Sequence, residues 1–378
     1  MKRFANGVVA LGALLLSLVL CEGVLRVMRF GTTVATSSNP VWTWVVYDPL
    51  ALRRNKPGFV QHDVRINSLG FRGEEISRRK PPGTLRIVCI GDSTTFGVWR
   101  ASPMVLRFAV DYPASLQRRL RASGIEHVEV VNAGVLGYTT AEGLALYLSR
   151  VLELDPDVIT VRLGNNDHGL LASTEVPPLA SEREYAIMSG LPGPAYRLDL
   201  TLLAFHAFRR LQAAGSQPSP SEKHVPLPQF ERNLHRFVDQ SHAHGVRIAF
   251  LDFPYRDLAR GPTPDEQFPS YFTDARSLEE LHALHTQYQD VVVRVAAETG
   301  TPFIATAGAL HAATTAFSAW DLSHPTAEGG EIIARELAEA LRVEGWLGPN
   351  GASARPPGAA ARAKTPKPSR PFDARASS

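Results

Sequence analysis

Cysteine is scarce in this chain of 378 residues. Its two thiols are Cys21, in an apolar N-terminal run, and Cys89, in a strand-like run that reads as buried. Such a pair gives no disulfide framework and no zinc spacing. Cys89 reads instead as a small core hydrophobe. His282 and His285 are three apart, but nothing near them in sequence completes a metal site. Charge of one sign is also scarce. The net charge is +3 and no Lys/Arg stripe recurs, which removes nucleic acid as an expected partner. The serine-hydrolase elbow G-x-S-x-G is missing, because Thr95 stands where the second glycine would be, and this argues against an α/β-hydrolase elbow.

What is present is an alternation of strand-like and helix-like runs. Five apolar runs read as strands: Leu85–Ile90, Val128–Val131, Val158–Leu163, Val246–Leu251 and Pro302–Ala305. Helical segments separate or follow them over Pro113–Ala122, Ala141–Leu152, Phe230–His244, Leu281–Thr299 and Glu328–Val343. Near-continuous apolar strands linked by helices predict a parallel sheet covered on both faces, an α/β/α sandwich.

Chemistry-bearing residues cluster at the ends of those strands. Gly91-Asp92-Ser93 follows the first, Asn132-Ala133-Gly134-Val135-Leu136-Gly137 the second, and Gly164-Asn165-Asn166-Asp167 the third. Asp321-Leu322-Ser323-His324 precedes the last helix. Acyl transfer needs a nucleophile, a base to take its proton and an acid to orient the base. An Asp three residues before a His can reach its ring across one turn. An oxyanion needs preorganised donors. Gly137 can offer its N–H where a side chain would block approach, and Asn166 can offer its amide.

In this order, GDS, NAGVLG, GNND and DLSH resemble the four sequence blocks of the SGNH (GDSL-type) hydrolases. The resemblance covers Leu85 to Leu347 in outline and is dense at the blocks. It implies a flavodoxin-like sheet of five parallel strands in the order 2-1-3-4-5. It implies Ser93 as nucleophile, His324 as base and Asp321 as orienter. Ser93, Gly137 and Asn166 are the implied oxyanion donors, with no metal and no cofactor. The sequence departs from the family in its long inserts. It also carries Ala305 and Thr306 where many relatives have an acid. Trp99 and His168, next to two of the blocks, are expected substrate contacts. Asp92 and Asp167 read as structural acids that hold their turns.

The remainder divides into zones. Residues 1–30 carry Lys2 and Arg3 before an apolar run, the layout of a signal anchor in the membrane. Glu22 and Arg26, four apart, can pair there. Cleavage after Ala35, giving a secreted protein, is the alternative. Flanking charges are nearly balanced, so an extracytoplasmic (periplasmic) catalytic domain is expected only by analogy with signal anchors. Residues 31–83 read as a segment strapped against the catalytic domain, with a turn at Leu69-Gly70 that docks Phe71. Residues 84–347 form the hydrolase domain, with a lid-like insert at 168–228 and a second insert at 256–277. Residues 348–378 are expected to be a disordered basic tail. The expected function is serine ester hydrolysis, with O-acyl groups on carbohydrate or lipid as substrates. An O-acyltransferase using the same covalent step is the first alternative. A catalytically idle envelope module that binds glycan is the second.

Overall fold

A computed structural model describes residues 2–28, 44–48, 50–61, 63–102, 105–108, 111–169, 223–257 and 275–347, with isolated positions between 198 and 211. Most of the 168–228 insert, most of the 256–277 insert and the 348–378 tail lie outside the described residues. Helix α1 (Lys2–Val27) comes first. Its stretch Val9–Val27 is long and apolar enough to cross a bilayer, and none of it is buried in the protein. Both a signal anchor and a signal peptide have this character. Arg26 Nε donates to Glu22 Oε1 at 2.7 Å, so the two charges inside the apolar run pair with each other.

Two short antiparallel hairpins follow, where the sequence reading expected only an irregular strap. They are β1 (Val45–Asp48) with β2 (Leu52–Asn55), and β3 (Val60–Gln61) with β4 (Val64–Arg65). Two-residue strands and the polar run Arg53-Arg54-Asn55 carry too little periodicity to be read as strands. The turn at Leu69-Gly70 forms as expected. Asn67 Oδ1 accepts the N–H groups of Leu69 and Phe71, and Phe71 is buried.

The α/β region begins with β5 (Leu85–Gly91), then α2 (Ser93–Phe96) and a hairpin of β6 (Val98–Ser102) and β7 (Val105–Phe108). Next come α3 (Tyr112–Ala122), β8 (Val128–Gly134), α4 (Thr140–Leu146) and β9 (Val158–Arg162). After the insert come α5 (Leu227–His244), β10 (Arg247–Leu251), α6 (Leu278–Thr299) and β11 (Phe303–Ile304). Helices α7 (Ala307–Ala312) and α8 (Ala327–Val343) close the domain. The helix expected over Ala141–Leu152 is α-helical only to Leu146. It continues as a π-turn over Tyr147–Val151 and a 3₁₀ turn over Leu152–Leu154. There Tyr147 stacks on Phe237 and Ser149 Oγ bonds back to Ala145 O, a contact that bends helices.

Strands β5, β8, β9, β10 and β11 form one sheet in the order β11-β10-β9-β5-β8, every pair parallel. Numbered along the chain, that is the order 2-1-3-4-5. Side chains alternate across it as the pleat requires. Val88, Ile90, Val131, Ile159, Val161, Ile248 and Phe250 belong to one core with residues of α4, α5 and α6. Leu85, Ile87, Cys89, Val128, Val158, Ala249 and Leu251 belong to the other, with residues of α3 and α8. The fold is therefore a three-layer α/β/α sandwich. A third, smaller cluster joins Trp44, Val45, Val64 and Ile66 of the strap to Phe96 of α2 and to Leu136.

Candidate active site

The loops after β5, β8 and β9 lie beside the switch point of the sheet, where neighbouring connections diverge and leave a crevice. At the end of β5 the chain turns at once into α2. Asp92 caps that helix, with Oδ1 accepting Thr94 N at 2.8 Å and Thr94 Oγ1 at 2.7 Å. Two glycines let the turn form. A Cβ on Gly91 would lie 1.9 Å from Thr95 Oγ1, and one on Gly134 would lie 2.3 Å from Phe96 N. Ser93 is thereby held at the first position of α2, half-buried.

His324 reaches it from the far end of the sequence. Its Nε2 stands 2.8 Å from Ser93 Oγ. Its Nδ1 stands 2.9 Å from Asp321 Oδ1 and 3.1 Å from Oδ2. A carboxylate at Nδ1 selects the tautomer with the proton on Nδ1 and the lone pair on Nε2, facing the serine hydroxyl. Asp321 Oδ1 also accepts the N–H groups of Ser323 (3.1 Å) and His324 (3.0 Å), so the acid is fixed by its own turn. The turn is tied down at both ends. Arg256 N donates to Leu322 O at 2.7 Å, and Thr326 N donates to Ala316 O at 2.9 Å.

Gly137 follows β8 and Asn166 follows β9, and the two loops are joined where the Asn166 amide bonds Tyr138, the residue after Gly137. Gly137 has φ +73°, a left-handed conformation that costs a glycine little. Among the described residues, the N–H groups of Ser93 and Gly137 donate to no protein carbonyl. The Asn166 amide donates to Tyr138 O at 2.9 Å and, at the longer distance of 3.4 Å, to Asp92 Oδ2. The structure thus joins a hydroxyl, an imidazole and its carboxylate by hydrogen bonds, with the Asn166 amide bonded to Asp92, next to that hydroxyl's residue. That set can remove a proton, form a bond to a carbonyl carbon and stabilise the resulting oxyanion.

The expected substrate contacts have different surroundings. Trp99 lies on β6, half-buried, just beyond α2. His168 is turned inwards and is 3% exposed, a core position that argues against substrate contact. Its Nε2 lies 3.1 Å from His285 Nδ1 and 3.2 Å from Tyr255 OH. His285 Nε2 in turn lies 2.8 Å from Phe253 O. Burial pushes His168 down to about 4 and His285 well below the ordinary histidine value, so both are neutral at pH 7. Asp167 points the other way, into a fully buried site, and takes the N–H (2.9 Å) and hydroxyl (2.5 Å) of Thr140. Burial raises its carboxyl to about 7.

Two supporting residues escaped the sequence reading. Arg162, fully buried at the end of β9, donates from Nε to Asp252 O at 3.0 Å and from Nη1 to Thr94 Oγ1. A charged residue closing an apolar strand was the available signal. Asp252, after β10, accepts the N–H groups of Thr306 and Ala307, each at 2.8 Å. It thereby ties the end of β10 to the start of α7. One group of metal-donor type occurs among the described residues: Glu231, His235 and Glu298, on the outer faces of α5 and α6. Arg294 ion-pairs with both of its carboxylates.

A family model described as the GDSL-like lipase/acylhydrolase family matches residues 89–332. Solved structures share the outline at low identity. The lipase/acylhydrolase from Enterococcus faecalis is 18% identical, covering 69% of this chain and 97% of its own, with a TM-score of 0.42. LAE5, an alpha/beta hydrolase enzyme from the metagenome of Lake Arreo, is 21% identical over 70% and 96%, at 0.42. Axe2, an acetylxylan esterase from Geobacillus stearothermophilus, is 21% identical over 68% and 94%, at 0.41. A search of curated proteins finds no match.

Proposed function

Since the chain belongs to the GDSL-like lipase/acylhydrolase family and is an ester-hydrolysing enzyme, we propose that it works through a Ser93-His324-Asp321 triad on O-acyl groups carried by carbohydrate or lipid. The observation that carries the reading is the 2.8 Å contact between Ser93 Oγ and His324 Nε2, made across 231 residues of sequence. Ser93 Oγ attacks the ester carbonyl while His324 Nε2 takes its proton. Asp321 stabilises the imidazolium that forms. The N–H groups of Ser93 and Gly137 and the Asn166 amide receive the oxyanion. The tetrahedral intermediate collapses as His324 returns the proton to the leaving alcohol. Water, deprotonated by His324, then attacks the acyl-serine and releases the acid. No step draws on a metal or a cofactor.

Helix α1, long and apolar enough to cross a bilayer, supports a membrane anchor, and an extracytoplasmic catalytic domain is part of the proposal by analogy with signal anchors. The test is turnover of p-nitrophenyl acetate, an acetylated oligosaccharide and an acyl lipid by the full chain in detergent, with and without a sugar acceptor. Free acid released at the same rate with and without acceptor, and lost in Ser93→Ala, is the expected result. Acyl groups appearing on the acceptor at the expense of free acid would make the enzyme a transferase.

A further inference from the structure

Strand β2 of the strap bonds the loop that follows β8. Arg53 Nη2 donates to Gly137 O at 3.2 Å and to Glu142 Oε1, also at 3.2 Å. The Arg53 carbonyl accepts the Tyr138 hydroxyl at 2.5 Å. Tyr138 in turn offers its own carbonyl to the Asn166 amide at 2.9 Å. Glu142, 2% exposed, uses its other oxygen to accept Thr139 N at 2.8 Å. The two-residue segment Gly137-Tyr138 is therefore bound to Arg53 at both residues and to Asn166 at one. Next to Arg53, Asn55 Nδ2 donates to Gly134 O at 3.0 Å.

We propose that Arg53 is a positioning residue for ester hydrolysis, setting the direction of the Gly137 N–H and the Asn166 amide from the strap. The inference rests on the reading of Gly137 and Asn166 as oxyanion donors. A glycine at φ +73° has a soft backbone. Its N–H direction depends on the torsions about that Cα, and the peptide that follows is held at two atoms, Tyr138 N by Val135 O (3.2 Å) and Gly137 O by Arg53 (3.2 Å). Such a device acts on charge that develops in the transition state, so its loss should fall on kcat rather than KM.

The test compares wild type, Arg53→Ala and Arg53→Lys as full chains, with p-nitrophenyl acetate as substrate and butylboronic acid as the tetrahedral, oxyanion-bearing analogue. Glu75→Ala serves as a comparator. Glu75 bonds Ser68 elsewhere in the strap, so its loss loosens that segment without touching the loop. Expected for Arg53→Ala is a fall in kcat of about 10- to 100-fold, the scale of a small donor misplacement. KM should move less than about 3-fold, and boronate affinity should fall in step with kcat/KM. Both side-chain bonds leave one nitrogen, Nη2, so Arg53→Lys keeps the charge and the donors on a shorter, less fixed stem, and its kcat should lie between. Glu75→Ala should lower the melting temperature and leave kcat unchanged. Unchanged kcat in Arg53→Ala overturns the proposal. So does a loss that boronate affinity does not follow, or an equal loss in Glu75→Ala. Should Arg53→Ala fail to fold, Arg53→Lys decides by the same criteria. A wild type that neither hydrolyses the ester nor binds the boronate would instead sink the esterase reading on which this inference stands.

Discussion

Asp167→Asn is the substitution whose effect can be worked furthest from the structure. Asp167 is fully buried and bonds the N–H and hydroxyl of Thr140, and its carboxyl is raised from 3.8 to about 7 by burial. The folded protein therefore keeps a proton that the unfolded chain releases between about pH 4 and pH 7. Stability must fall as pH rises through that window. A gap of roughly 3 pH units, at about 1.4 kcal/mol each, amounts to about 4 kcal/mol. Next to it, His168 is lowered from 6.5 to about 4, again by burial. Here the unfolded chain takes up a proton that the folded protein refuses, so stability falls as pH drops from about 6.5 to 4. That contribution is about 3 kcal/mol, and His285 acts in the same direction. The neighbouring residues thus oppose each other, and the wild type shows little net slope from the pair. The amide introduced by Asp167→Asn would keep an acceptor for Thr140 but carry no charge. The stability difference, variant minus wild type, should move by about 4 kcal/mol in the variant's favour between pH 4 and pH 8. Urea unfolding followed by tryptophan fluorescence, on the full chain in detergent, measures it. A difference constant to within about 1 kcal/mol across that range would refute the burial argument for Asp167.

Two further outcomes follow from the geometry around the candidate nucleophile. Gly134→Ala would drive a Cβ to 2.3 Å from Phe96 N, a backbone atom that cannot swing aside. Overpacking of this kind costs about 1–3 kcal/mol, so melting should fall by about 5–10 °C. Ester turnover should fall too, because α2 carries Ser93; an unchanged melting temperature would contradict the close-packed turn. Asp321→Asn removes the carboxylate that selects the His324 tautomer, and kcat should drop about 10³-fold or more with KM little moved. Near-wild-type kcat would mean that Ser323 Oγ, 3.3 Å from His324 Nδ1, orients the ring instead.

The α/β/α architecture was legible because buried parallel strands are apolar almost without interruption. Leu85–Gly91 is buried throughout, and its alternate residues serve the two cores. Strand ends were less so. Asn132 extends β8 to Gly134, but a buried polar residue reads as the end of an apolar run until its partners are known. Those partners are Thr95 O, which its amide bonds at 2.9 Å, and Gly134 N. At the site, the local pair Asp321 and His324 could be read from spacing alone, since one turn contains both. His168 could not, because its burial depends on His285 and Tyr255, far along the chain. Arg53 and the β1–β2 hairpin were illegible for the same reason. The short polar strand β2 acquires meaning only from the loop it touches after β8.

Whether Ser93 is a nucleophile activated by His324 can be asked without knowing the substrate. This is tested most directly by labelling the full chain with a fluorophosphonate, beside Ser93→Ala and His324→Ala, and locating the modified peptide by mass spectrometry. Label on Ser93 in the wild type and none in either variant, each melting as a folded protein, is the expected result. A folded wild type that takes no label, or label that persists in His324→Ala at the wild-type rate, would contradict it.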